Sequence, residues 1–289
     1  MNKLTANERQ ARAISAAQVI AEAHGAKRGS PVILKDTNHT IVHLRPEPIV
    51  AKVSVEKRFR QRSCSLEREV LVARLLAEAG APVVRPTNTL PPGPHYVNGV
   101  ELTLWDFCPH DPDAEISSSE AGSSLRVVHE LLNETRSGLP LLPTFTLQID
   151  EANSLLRVPE NVPLLPEKDR LFLCELHQII SADIGMASFD YQPLHGECHL
   201  NQAISSPSGV SWLDFEAACL GPKEWDLAAL DQEGVSAYGT ADSSLLALLR
   251  TARLFCIVTW CWTQPDRAYE VREAAEYHLA HLKESSRFR

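Results

Sequence analysis

Three features are missing from this chain of 289 residues. It has no uncharged apolar run long enough to cross a bilayer. The longest, LFCIVTWCW near the C-terminus, falls far short of the roughly 20 residues a spanning helix needs. Its N-terminus, MNKLTANERQARAISAAQ, lacks the apolar core of a signal peptide and reads as mature sequence. Its seven cysteines are odd in number and irregularly spaced, which argues against a disulfide framework. A reducing, cytoplasmic setting is the expectation that follows. Internal repeats and low-complexity tracts are also absent.

What is present fits a globular protein of one large domain or two lobes, with 44% hydrophobic and 22% charged residues. The net charge of −9 is unevenly spread. Up to Cys108 there are 15 Lys and Arg against 10 Asp and Glu, and beyond it 13 against 27, so the front carries +5 and the back −14. A basic front suits a polyphosphate, and an acidic back suits a cationic partner. Nucleic acid is disfavoured, because the acidic part would repel its phosphates.

Along the chain, residues 5–24 read as an amphipathic helix. SPVILKD, HTIVHLRP and PIVAKVSV read as short antiparallel strands. SLEREVLVARLLAEAG is the clearest helix, with Ser65 as its cap and Gly80 as its stop. HYVNGVELTLWDFCP returns to strand around an Asn-Gly turn. Helical pieces follow at 120–134 and 167–183, then strand, turn and strand through NQAIS, SPSG and VSWLDFE, and a mostly helical remainder. This is a two-lobed α+β pattern.

The stretch LHGECHLNQA places His195, Glu197, Cys198 and His199 within five positions, and zinc accepts all of these ligand types. Side chains at 195 and 199 converge only on a helix, however, and Gly196 followed by a strand pattern disfavours one. The zinc deaminase signature also needs a later P-C-x-x-C, which CIVTWC does not supply. Cys198 then reads as a small buried residue. Phosphoryl transfer fits better. A kinase loop needs a carboxylate that receives the hydroxyl proton and, five positions on, an amide that holds magnesium. Glu197 and Gln202 have that spacing. Asp214, twelve residues after Gln202 at the end of an apolar strand, falls where a magnesium-binding aspartate belongs. Lys52 sits in the strand IVAKV, and Glu69, on the first strong helix, suits an ion pair with it, with Glu67 as the alternative.

These motifs together resemble the aminoglycoside phosphotransferase family. The likeness is sharpest over PLHGECHLNQAI and GVSWLDFEAACLGPKEWDLAAL, where the family's usual pattern is HGDxHxxN followed by IDF-(E/G)-x-A-x-x-GxxxxDLA. It extends more loosely to VAKV, to EREVLVARLLAEAGAPVVRP and to LTLWDFCPH. The resemblance implies a protein-kinase-like fold: an N-terminal sheet lobe over 1–104, a hinge at 105–108, and a mainly helical lobe over 109–289. It implies Mg2+ and ATP or GTP as phosphoryl donor, with a small-molecule hydroxyl as acceptor and a cationic aminoglycoside-like compound as one candidate. No nucleic-acid or membrane partner is implied.

By the same resemblance, Lys52 would grip the nucleotide phosphates, oriented by Glu69, and Trp105, Asp106, Phe107 and Cys108 would meet the base. Asp214 and Gln202 would hold metal, and Glu197 would act on the acceptor hydroxyl. His195 and Asp226 would anchor the loop, while Glu216, Asp231 and Glu233 are candidate substrate-side carboxylates. Residues 111–170 match nothing in the family pattern and are expected to insert as one wall of the acceptor pocket.

Two departures stand out. The family's loop aspartate is Glu197 here and its asparagine is Gln202, each longer by one methylene, or roughly 1.5 Å. LKDTNHTIV also lacks the glycines of a protein-kinase phosphate loop. A weakened, kinase-like regulatory module that binds nucleotide or metabolite is therefore the alternative expectation.

Overall fold

The computed structural model describes residues 4–55, 63–111, 113–265 and 269–286. Helix α1 (Ala6–Ala23) starts at a capping box, in which Thr5 and Glu8 satisfy each other's backbone amides. Its buried stripe, Ala13, Ala16, Ala17 and Ala21, is made of small residues, so the helix lies close against the sheet. That sheet runs β1 (Val32–Asp36), β2 (Thr40–His43), β3 (Ile49–Ser54), β4 (His95–Val97) and β5 (Val100–Asp106). Its spatial order is β1-β2-β3-β5-β4, with every pair antiparallel. Asn98 and Gly99, at φ 52° and 74°, make the tight β4–β5 turn that the Asn-Gly dipeptide predicts. The chain inserts α2 (Leu66–Glu78) between β3 and β4, capped by Ser65 and stopped by Gly80 at φ +81°.

The remainder is mainly helical: α3 (Ser118–Glu134), α4 (Thr146–Leu156), α5 (Glu167–Met186), α6 (Lys223–Leu227), α7 (Gln232–Tyr238), α8 (Ser243–Thr263) and α9 (Tyr269–Ser286). Two small antiparallel pairs are set into it. One joins β6 (Gln192–Leu194) to β9 (Cys219–Gly221), and the other joins β7 (Ala203–Ser206) to β8 (Gly209–Trp212). Together these elements form the two-lobed, protein-kinase-like α+β architecture expected from the motifs.

Three apolar cores hold the molecule. One lies between α1 and the sheet, one joins α2 and Trp105 to α3, β8 and α7, and one is built from α4, α5, α8 and α9. The middle core ties the two lobes together, because α2 belongs in sequence to the first and packs largely with the second. Helix α8 is 21 residues long and apolar enough by composition to cross a membrane, yet ten of its residues are buried against its neighbours, among them Leu249, Phe255 and Trp262.

Helix α3 supplies Leu125, Val128 and Leu132 to the middle core, and α4 supplies Ile149, Ala152 and Leu156 to the third. Gln148 of α4 also donates to the Gly196 carbonyl in the 195–202 loop at 3.2 Å. One expectation is corrected here. The strand expected over 210–216 ends at Trp212, because Asp214 adopts a left-handed conformation at φ 69°, ψ 54° that no strand accommodates.

Candidate active site

Strand β3 and helix α2 bring Lys52 and Glu69 together from 17 positions apart in sequence. The ammonium of Lys52 donates to both carboxylate oxygens of Glu69, each at 2.9 Å, and to Asp214 Oδ1 at 2.6 Å. Gln202 donates its amide to the other oxygen of Asp214 at 2.7 Å. Asp214 is thus clamped on both oxygens, which holds a non-glycine residue in the left-handed region. Glu67, the alternative partner for Lys52, lies on the exposed side of α2, so the pair forms with Glu69.

Glu216 is not on a separate substrate face. It is buried inside this cluster, 3.5 Å from Lys52 Nζ and 3.1 Å from His39 Nε2. Sequence spacing missed His39, which sits at the turn of the β1–β2 hairpin; only the fold brings it 177 positions along the chain to Glu216. A glycine-rich loop is absent, and the hairpin instead closes over the site with side chains. Asp231 caps α7 by accepting from the Gly234 amide at 2.9 Å, and Glu233 lies exposed in the first turn of the same helix. The structure brings neither of them to the cleft.

The cleft itself encloses about 290 Å³ between the β1–β2 hairpin, β3, residues 105–108 and the Gln202–Asp214 pair. Trp105, Asp106, Phe107 and Cys108 all line it, the first two as the end of β5. The Phe107 amide is taken by the Pro48 carbonyl at 2.8 Å, whereas the Cys108 amide has no backbone partner among the described residues. Phe107 stacks on His43 with ring centres 4.0 Å apart.

Glu197 is half-buried and does not line that cavity. Its loop is held from below by Asp226 on α6, which accepts from the amides of His195 at 2.8 Å and Gly196 at 2.9 Å. Asp226 also accepts from His129 Nε2 of α3 at 2.9 Å, a contact no motif foretold. Burial opposes the charge on Asp226, but the His129 bond and the nearby cations outweigh it and hold the carboxyl below its usual range. His195 is pushed towards its neutral form by burial. A neutral ring donates from Nε2 to the Leu213 carbonyl at 3.0 Å and accepts the Glu197 amide at Nδ1 at 3.3 Å. Through that imidazole the loop is tied to the residue preceding Asp214.

Zinc chemistry does not fit the HGECH stretch. Both ring nitrogens of His195 are engaged, and the buried Cys198 thiol, its pKa pushed up by burial, donates to the Asp226 carbonyl. Among the described residues, the one acidic group close enough to share an ion is Glu69, Asp214 and Glu216, with oxygens within 4.8 Å of one another. All-oxygen donors of this kind suit a hard cation such as Mg2+. Three carboxylates around one lysine leave a net negative charge that a divalent ion would offset, so the residues present fit magnesium.

That crowding raises Glu69. Burial pushes its pKa up most, and Asp214 and Glu216 add to this against the pull of Lys52, to about 8. A carboxyl raised in the folded state binds more protons there than in the unfolded chain. Its stabilisation is therefore full below the unfolded value near 4.5 and lost as pH rises towards 8. Metal-free protein is expected to lose unfolding free energy between pH 5 and 8, and Glu69→Gln to flatten that slope, as read by urea unfolding in EDTA. An identical slope in the variant would show that Glu69 is not the titrating group.

Fold and site together give a protein-kinase-like, two-lobed architecture with a charged cluster at the floor of its cleft. No family model and no curated protein matches the sequence. Solved structures do match. A choline/ethanolamine kinase family protein from Mesorhizobium loti superposes with a TM-score of 0.67 at 15% identity, over 94% of this chain and 94% of that one. Amicoumacin kinase hAmiN, in complex with AMP-PNP, Ca2+ and amicoumacin, gives 0.69 at 11% identity over 97% and 96%. APH(2")-IIia, as its GDP and kanamycin complex, gives 0.64 at 14% identity over 94% and 98%.

Proposed function

We propose that this chain is an ATP- or GTP-dependent phosphotransferase acting on a hydroxyl of a small molecule. Residues 1–104 are its nucleotide lobe, 105–108 its hinge, and 109–289 the lobe bearing the catalytic loop and acceptor site. The observation that carries this is the Lys52 ammonium held between Glu69 and Asp214, with Gln202 on the far oxygen of Asp214, at the floor of a cleft lined by the hinge. Scattered surface charges would not assemble a lysine, an acid pair and an amide in this order.

In this reading the base lies along Trp105–Cys108 and bonds the Cys108 amide, and Lys52 draws the phosphates inward. Asp214 and Gln202 hold Mg2+, with Glu216 beside them; the ion, when bound, offsets the charge of the transferring phosphoryl group. Glu197 takes the proton from the acceptor hydroxyl as its oxygen bonds to the γ-phosphorus and the bond to the bridging oxygen breaks, releasing the nucleoside diphosphate. An amine-bearing acceptor is favoured by the charge of −14 beyond Cys108. The choline/ethanolamine kinase likeness and the kanamycin complex point the same way. All seven cysteines are unpaired, which supports a reducing, cytoplasmic setting.

The test is a calorimetric titration with Mg·ATP and Mg·GTP, with EDTA as control. Magnesium-dependent binding of either nucleotide is the expected outcome, and absence of binding by both sinks the assignment.

A second reading, a weakened kinase-like regulatory module, has one specific observation in its favour. The longer Gln202 already spends its amide nitrogen on Asp214. The double variant Glu197→Asp with Gln202→Asn separates the two. A gain in turnover of roughly tenfold or more, set against the roughly hundredfold cost of a 1 Å misplacement, marks a degenerate site; a loss marks one tuned to its longer side chains.

A further inference from the structure

Arg253 lies midway along α8 and is 5% exposed, yet among the described residues it forms no ion pair with a carboxylate. Removing a guanidinium from water is costly unless its donors are satisfied, so what it bonds matters. Both terminal nitrogens reach one atom, the carbonyl oxygen of Gly196, at 3.2 and 3.3 Å. The guanidinium also lies 4.9 Å from the centre of the Trp225 ring. That carbonyl accepts Trp225 Nε1 and Gln148 Nε2 as well, each at 3.2 Å. Helices α4, α6 and α8 therefore converge on a single backbone oxygen.

The position of that oxygen gives the convergence a purpose. It belongs to the Gly196–Glu197 peptide, whose amide hydrogen is held by His195 Nδ1. One unit earlier, Asp226 holds the Gly196 amide. Asp226 thus fixes the backbone entering Gly196, and Arg253 fixes the backbone leaving it. Asp226, the buried anion on the other side of the same residue, supplies the counter-charge for Arg253 across the backbone. Gly196 itself is closely packed: at φ +88°, an added Cβ would come 2.0 Å from the Ala217 carbonyl oxygen.

We infer that Arg253 is a positioning residue for Glu197, locking the peptide from which the longer carboxylate projects. This rests on the phosphotransferase reading for its catalytic meaning. A glutamate has one more torsion than the aspartate of related loops, so its carboxylate reaches a defined point only if its backbone is held rigid. No family motif contains Arg253, and its role is visible only where α8 passes beneath the loop.

Hydrogen–deuterium exchange of the full chain tests this, comparing wild type, Arg253→Ala and Arg253→Lys over residues 194–200. Mg·ATP affinity and slow turnover of Mg·ATP to ADP are measured in parallel. In Arg253→Ala, exchange at 195–199 is expected to rise roughly tenfold or more while that at 105–108 stays unchanged. Turnover is expected to fall about a hundredfold with Mg·ATP affinity kept within about twofold. Arg253→Lys, which retains the charge and a donor, is expected to recover most of the turnover; if Arg253→Ala does not fold, its exchange against wild type carries the comparison. Exchange at 195–199 that stays at the wild-type rate, or rises equally in hinge and loop, overturns the inference and leaves Arg253 as core packing. Failure of the wild type to bind Mg·ATP defeats the phosphotransferase reading instead, and the exchange comparison still decides whether Arg253 holds the loop.

Discussion

Asp214→Asn is expected to leave the metal-free protein as stable as wild type or slightly more so, while lowering magnesium-dependent turnover on the order of a thousandfold. The two effects have one cause. Asp214 is one of three carboxylates drawn around the single ammonium of Lys52. The lysine's charged form is strongly favoured despite burial, because all three acids stabilise it. Removing one negative charge leaves Lys52 paired with Glu69 and relieves repulsion among the acids, and the neutral amide still offers Gln202 an acceptor. What is lost is the anionic oxygen most central to the site. Sites that concentrate like charge for function commonly cost stability, and their neutralisation returns it. Thermal unfolding in EDTA, repeated with Mg·ATP, gives both readings at once. Nucleotide-dependent stabilisation of Asp214→Asn equal to wild type would remove Asp214 from the proposed metal site.

Asp226→Ala is expected to be the most destabilising single substitution at the site, by about 3–5 kcal/mol, the usual cost of breaking a buried charged network. The carboxylate is completely buried and accepts three hydrogen bonds, from two loop amides and His129. Alanine would strand these three donors without water and leave buried Arg253 with no anion across the Gly196 backbone. His129 also meets the Tyr238 hydroxyl at 2.8 Å, so the loss spreads into the contact between α3 and α7. Urea unfolding checks the magnitude. A change below about 1 kcal/mol would mean that water or a neighbouring side chain replaces the carboxylate, contrary to its complete burial.

The two substitutions separate the roles of the acids in the site. Asp214 sits in a cleft and is held by groups that a ligand could displace, whereas Asp226 is sealed beneath the loop. Both were visible in the sequence as aspartates at recognisable spacing from HGECH, and the resemblance already implied metal binding for Asp214 and loop anchoring for Asp226. Burial and partners show what each one touches. Glu216 makes the same point from the other direction: three residues from Leu213 in sequence, it was a candidate for a separate substrate face, and the fold sets it beside Lys52 and the hairpin histidine.

Much of the architecture was legible because it is written in local chemistry. Ser65, Gly80 and the Asn-Gly pair mark the ends of α2 and the β4–β5 turn through capping and backbone sterics, which act over a few residues. The grouping of Lys52, Glu69, Gln202 and Asp214 was legible because these residue types stand at the spacing, and on the kinds of element, that phosphoryl transfer would need. The end of β8 was missed because the left-handed turn at Asp214 is imposed by Lys52 and Gln202 rather than by its neighbours. The packing of α3 and α4 into the cores was not legible because core-forming helices carry only a generic apolar period.

By itself, the sequence determined the front strands and their two helices, the two-lobed α+β class and a set of side chains suited to phosphoryl transfer, since propensity, capping and motif spacing are local properties. Only the tertiary structure decided which charges meet. It closed His39 over Glu216, set His129 and Arg253 beneath the loop, and left Asp231 and Glu233 away from the cleft. These pairings join residues far apart in the chain, and their energies depend on distance and burial, which no stretch of sequence contains.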